Sequence, residues 1–245
     1  MSCPEHETVA EASVVAVSHV GHVRGRSEDR VVLGFCILGA HHGQIHSTRI
    51  APGLVVAVLD GMGGHLGGDI AAQLAAEVCS SAPPITTPAE AHATVAHANR
   101  AIYDRMAEIR VLAGMGTTIA ALTIVGDEVL VVNVGDSRVY HLDANRLVQL
   151  TVDDALSRTA LTQSLGGEHQ LTAVRPHVAV VPADEQRFLL ATDGLFGHLD
   201  PETLEACVSD DDHDTVSRLL EVALEAGGPD NISIALVRTP TRHRG

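Results

Sequence analysis

Five aspartates and one glutamate stand where apolar runs end or begin. "VVAVLDG" delivers Asp60, "VVNVGDS" delivers Asp136 and "FLLATDG" delivers Asp193. "GGPDNISIALV" places Asp230 just ahead of an apolar run, and "RSEDRVVL" places Glu28 and Asp29 ahead of another. If these runs are strands lying side by side, the acids converge at one edge of the core. Carboxylates gathered in that way repel one another unless a cation compensates them. All-oxygen donors suit hard cations such as Mg²⁺ and Mn²⁺, and no Cys/His cluster suggests zinc. Taken singly, each site also reads as a turn, because Asp-Gly and Gly-Asp-Ser are turn dipeptides. After Asp60 and Asp193, however, a helix follows rather than the second strand of a hairpin.

Glycines crowd the chain after Asp60, in "LVVAVLDGMGGHLGGD". Glycine lets the backbone turn sharply and bring a carbonyl up to an ion. A glycine-rich strand-to-helix turn can also cradle a nucleotide phosphate. "GMGGHLGGD" lacks the lysine of a P-loop, though, and its spacing is not G-x-G-x-x-G. Arg24, four residues before Glu28, is the cation of the group. A guanidinium grips a phosphate dianion bidentately. The alternative is a surface arginine paired with Glu28.

The elements that must position these residues come in blocks. Strands are expected at Ser13–Val20, Arg30–Leu38 and Leu54–Leu59, with "GAHHGQIHSTRIAPG" as a loop between the last two. Helices are expected at Leu66–Ser81 and from Thr87-Pro88 to about Arg110, the second with a stripe of Val95, Ile102, Met106 and Ile109. "TTIAALTIV", "EVLVVNV", "SRVYHL" and "RLVQL" form a second strand block, and Thr151–Ala173 is polar and ambiguous. Then come a strand at Arg187–Thr192, a helix after Asp200-Pro201, a helix over His213–Ala226 and a strand at Ile232–Val237. Strands in blocks and helices in pairs point to an α+β fold, with mostly antiparallel sheets covered by helices. No Pro-, Gly- or Ser-rich boundary divides the chain, so one domain is expected over 1–240, with a short basic tail at 241–245.

Composition narrows the function. The 245 residues are 45% hydrophobic but only 2% aromatic, so the core must be aliphatic. A net charge of −15 repels the phosphate backbone, which argues against nucleic-acid binding. No apolar run approaches the length of a membrane span, and the acidic N-terminus has no signal-peptide h-region, so a cytoplasmic location is expected. The four cysteines form no C-x-x-C pair and read as buried or incidental thiols, while the 15 histidines are scattered and read as surface residues.

The stretches "VRGRSEDR", "VVAVLDGMGGHLGGDIAA", "GMGTTIAAL", "VVNVGDSRVYHL", "LTVDDAL", "LLATDGLFGHL" and "GGPDNISIALV" occur in one order over nearly the whole chain. With them the sequence resembles the metal-dependent Ser/Thr protein phosphatases of the protein phosphatase 2C family, in their bacterial form. The resemblance implies a four-layer α-β-β-α sandwich, two antiparallel sheets flanked by helix pairs. It implies a cleft at one end holding two Mn²⁺ or Mg²⁺ ions. Asp60 would bridge both ions, the Gly61 carbonyl would face one of them, and Asp193 and Asp230 would hold the other. Glu28 and Asp29 would support the site, and Asp136 with Asp193 would hold a weaker third ion. Arg24 would bind the substrate phosphate. Two ions about 4 Å apart lower the pKa of a bridging water, which attacks phosphorus in line. The substrates implied are Ser/Thr-phosphorylated proteins, with a cognate bacterial Ser/Thr kinase as the opposing activity. A phosphoprotein-binding pseudophosphatase and a small-metabolite phosphatase are the alternatives.

The chain departs from the family pattern in four places. Met62 stands where animal members have His, Ser27 where bacterial relatives carry Asn, and Gly197 where some relatives have an acid for the third ion. Between "LTVDDAL" and "TQSLGG" only "SRTA" remains of a longer flap, so the cleft is expected to be more open on that side.

Overall fold

The segments Ile119–Val125 (IAALTIV) and Ile232–Arg238 (ISIALVR) are apolar at nearly every position and buried along almost their whole length. Strands of that composition need cover on both faces. In the computed structural model, which describes residues 11–39, 43–63, 67–144, 146–157, 160–167, 171–184 and 186–241, each lies within a six-stranded antiparallel sheet. One sheet runs, in spatial order, Arg146–Gln149, Arg138–Asp143, Arg187–Ala191, Ile232–Arg238, Ala12–His19 and His46–Ile50. The other runs His177–Pro182, Glu128–Val134, Ile119–Val125, Val56–Leu59, Arg30–Leu33 and Cys36–Leu38. Val14, Val31, Val58, Leu122, Phe188 and Val237 fill the space between the two sheets.

Helices cover the outer faces. Gly68–Ser81 packs through the fully buried alanines 71, 72, 75 and 76. These small side chains let it lie close to the sheet and to the helix Pro88–Glu108. That second helix starts on a capping box, with Thr87 accepting from the Glu90 N–H and Pro88 behind the cap. Val95, Ile102 and Met106 of the expected stripe are buried, whereas Ile109, its fourth member, is exposed because the helix ends at Glu108 and Ile109 caps it in an extended conformation. On the opposite face lie Asp193–Phe196, Pro201–Ala206 and Asp212–Glu225, over Val17, Leu189, Ile234 and Leu236. The fold is therefore the expected α+β sandwich of four layers.

Three expectations differ in detail. Arg30–Leu38 is a hairpin rather than one strand, because Gly34 turns the chain at φ +60° and pairs Leu33 with Cys36. That turn also leaves Cys36 exposed. His46–Ile50, read as loop, is an edge strand on Ala12–His19, and His177–Pro182 forms an edge strand on Glu128–Val134. The ambiguous region holds a minimal hairpin, Ala155–Ser157 with Ala160–Leu161, and a strand at Leu165–Gly166 paired with Gly116–Thr117. The expected helix start at Leu66, Cys3, part of "SRTA" and residues 242–245 of the tail lie outside the described residues.

Register sets the ends of the strands. Arg30 opposes Leu59, so Asp29 and Asp60 emerge side by side from one sheet. In the other sheet Arg138 opposes Ala191, and Ala191 opposes Ile234. This brings Asp136, Asp193 and Asp230 out together.

Candidate metal centre

Those strand ends border one cleft of about 830 Å³. Arg24, Glu28, Asp60, Gly61, Asp136, Asp193 and Asp230 all line it, together with Arg26, Met62 and Thr118. Asp29 does not: it is fully buried behind the cleft.

Each acid has its own support. The Asp60 backbone is clamped on both sides: its N–H donates to the Thr118 hydroxyl (3.0 Å), and its carbonyl accepts from the Thr117 hydroxyl and the Thr118 N–H (both 2.9 Å). Asp29 Oδ2 accepts from the Thr192 hydroxyl at 2.8 Å, and that same hydroxyl accepts from the Ser233 N–H at 3.0 Å. Asn231 accepts the Glu28 N–H at 2.7 Å and donates to the Val20 and Arg26 carbonyls at 2.9 and 3.1 Å. Thr118, Thr192 and Asn231 carry no charge and were not singled out in the sequence. The adjacency of Thr117-Thr118 to "GMG" and of Asn231 to Asp230 was the only available signal.

The glycines answer to packing. A Cβ on Gly61 would stand 2.2 Å from the Gly68 carbonyl oxygen and 2.6 Å from that of Glu28, and a Cβ on Gly68 would meet Glu28 Oε2 at 2.7 Å. The glycine-rich turn thus lets the start of a helix and the Glu28 segment close on the strand end that carries Asp60. Gly194 does the same for Asp193: its Cβ would lie 1.8 Å from the Asn231 carbonyl oxygen.

Charge is poorly compensated here. Burial pushes the Asp60 carboxyl well above the usual carboxylate range, and Asp29, Asp193 and Asp230 push it further. The interaction between the Asp60 and Asp193 carboxyls raises Asp60 further and offsets part of the rise at Asp193. Burial raises Asp29 to about 7, although the hydroxyls of Ser233 and Thr192 pull it back. Asp136 rises to about 6, by burial and then by the Asp193 charge. Among the described residues two guanidiniums line the cleft. Arg24 pairs with Asp230 at 2.7 Å, not with Glu28, and Arg26 pairs with Glu28 at 3.0 Å. Among the described residues no three His, Cys, Asp or Glu side chains converge closely enough to hold an ion as they stand. Even so, Asp193 Oδ1, Asp29 Oδ1 and the Ser27 hydroxyl are buried without a hydrogen-bond partner. Buried oxygen donors left unpaired, beside carboxylates held above their ordinary pKa, fit a hard divalent cation.

Comparison with known proteins agrees. A family model described as protein phosphatase 2C matches residues 41–232. The serine/threonine protein phosphatase PstP of Mycobacterium tuberculosis is 32% identical over 242 residues, which is 90% of this chain and 44% of that protein. The serine/threonine phosphatase Stp of Listeria monocytogenes is 31% identical over 220 residues, 78% of this chain and 86% of that protein. A crystal structure of the PstP catalytic domain in complex with two manganese ions superposes with a TM-score of 0.75 at 30% identity, covering 92% of this chain and 98% of that one. The chain thus spans less than half the length of the full PstP relative.

Proposed function

Because this chain belongs to the protein phosphatase 2C family, we propose that it hydrolyses phosphoserine and phosphothreonine in proteins, using two divalent ions in the acidic cleft. The observation that carries the proposal is the set of strand-end carboxylates around Asp60, with buried oxygens left unpaired and pKa values raised by burial and then by mutual repulsion. The PstP structure with two manganese ions supports the choice of metal.

Asp60, the Gly61 carbonyl, Asp193 and Asp230 are the direct ligands we assign, with Glu28 beside them. Asp29, buried behind the cleft, holds the Thr192 hydroxyl and so supports the Asp193 turn. Asp136 borders the cleft where a weaker third ion would bind. When bound, a pair of such ions lowers the pKa of water and neutralises charge on the phosphoryl group.

The chain's own residues do the rest. Arg24 is half exposed at the cleft mouth and tethered to Asp230 by one ion pair. Once Asp230 is committed to an ion, that guanidinium is free to grip two phosphate oxygens and fix the phosphorus in line. Asp60, clamped through its backbone by Thr117 and Thr118, cannot swing away as charge builds. The partners proposed are phosphorylated proteins and the Ser/Thr kinase that makes them.

The test is turnover of p-nitrophenyl phosphate and of a phosphothreonine peptide, with Mn²⁺ and with EDTA, for the wild type and for Asp60→Asn. Turnover that needs Mn²⁺ and disappears in the variant is expected. Equal turnover in EDTA would overturn the reading.

A further inference from the structure

Beside the cleft is a second chamber of about 640 Å³. Met62 and Leu161 line both spaces, so the two adjoin. Leu161 belongs to the minimal hairpin that stands where family members carry the longer flap. Part of the chamber's wall is the backbone of Gly166 and Gly167. Gly167 and Gly116 lie under the Met62 methyl group, which a Cβ on either would meet at 3.0 Å.

Charge within the chamber is distributed unevenly. Asp154 is saturated: Oδ1 pairs with His177 Nε2 at 2.9 Å, and Oδ2 accepts from Gln163 Nε2 and the Gly135 N–H, both at 3.0 Å. Gln163 also grips the main chain of Arg175, accepting its N–H at 2.6 Å and donating to its carbonyl at 3.1 Å. The backbone of Arg175 is therefore pinned from both sides. Its guanidinium, by contrast, is exposed and has no ion pair or hydrogen bond among the described residues. A guanidinium on a pinned backbone, without an ion pair among the described residues, in a chamber whose one described acid is fully paired, attracts a carboxylate. This is notable in a protein of net charge −15, whose surface otherwise repels acids.

Resting on the phosphatase reading above, we propose that this chamber receives the residues flanking the phosphorylated one in the substrate chain, and that Arg175 selects an Asp or Glu among them. Adjacency at Met62 and Leu161 puts both spaces within reach of one peptide.

The test compares kcat/KM, with Mn²⁺, for phosphothreonine peptides whose flanks carry Glu, Ala or Lys, and for p-nitrophenyl phosphate, which has no flank. The wild type should prefer the Glu peptides over the Ala peptides by about tenfold, the scale of one charge contact across an interface. Arg175→Ala should lose that preference and Arg175→Glu should reverse it towards Lys, while both turn over p-nitrophenyl phosphate like the wild type. Peptide turnover with no flank preference, or a preference that survives in Arg175→Ala, would overturn the subsite and leave the phosphatase reading intact. No turnover of any of these substrates would overturn both.

Discussion

At the residue scale, the chemistry depends on side chains that carry no charge. Asn231 ties the segment bearing Arg24, Arg26 and Glu28 to the strand that begins after Asp230, through three hydrogen bonds. Asn231→Ala leaves the Glu28 N–H and two carbonyls without partners, at a cost of about 1–3 kcal/mol. Urea denaturation should show that loss. Calorimetry should show Mn²⁺ affinity falling by about tenfold or more, as removal of a residue that orients ligands does. A folded Asn231→Ala protein with wild-type Mn²⁺ affinity would detach Asn231 from the site. The acids themselves were legible in the sequence, because each abuts an apolar run and strand ends are easy to see. Their partners were not. Thr192 meets Ser233 and Asp29 only through the register of strands far apart in the chain, and Arg24 reaches Asp230 rather than the nearer Glu28.

At the element scale, two contacts separate stability from site geometry. Asp212 opens the helix Asp212–Glu225 and accepts from Arg238 at 2.8 and 2.7 Å, and it pairs with Arg187 at 2.8 Å. It thereby pins the helix to two sheet strands. Asp212→Ala takes the ion-pair partner from the Arg187 side chain, which is only 12% exposed and keeps the Thr215 hydroxyl, and should lower the unfolding free energy by about 2 kcal/mol, towards the cost of breaking a buried ion pair. Its Mn²⁺ affinity should stay at the wild-type value. Gly194→Ala should behave differently. Its Cβ would drive against the Asn231 backbone and force apart the turns that carry Asp193 and Asp230. Both stability and Mn²⁺ affinity should fall, and a variant that loses neither would refute the packing role of Gly194. The buried strands could be read from composition because both faces are covered, so Val, Ile, Leu and Ala run on without interruption. The edge strands could not. His46–Ile50 exposes its three central residues, and His177–Pro182 has no buried position at all. The reversal at Gly34 hid inside an apolar run, because the turn there needs only one glycine and one exposed Phe35.

At the scale of the whole molecule, the gathered acids make folding, protons and metal compete. Asp29, held at about 7, and Asp136, held at about 6, keep protons in the folded protein that the unfolded chain releases near pH 4. Asp60 and Asp193 are shifted in the same direction. An acid whose folded pKa is raised contributes stability at low pH and loses it as pH climbs from the unfolded value to the folded one. The helix-capping acids Asp200 and Asp211 have lowered values, so their contribution changes only below about pH 4, outside this window. The metal-free protein should therefore show a falling Tm between about pH 5 and 7.5, and Asp29→Asn should flatten that slope. Divalent ions take the charged carboxylates, so binding must displace the same protons. At a hundredfold excess over Kd, one site adds about 2.7 kcal/mol. The rise in Tm caused by Mn²⁺ should thus be larger at pH 7.5 than at pH 5.5, as read by scanning calorimetry against EDTA controls. An equal rise at both values would mean that the metal binds without displacing protons, and the assignment of Asp60 and Asp193 as ligands would fail with it.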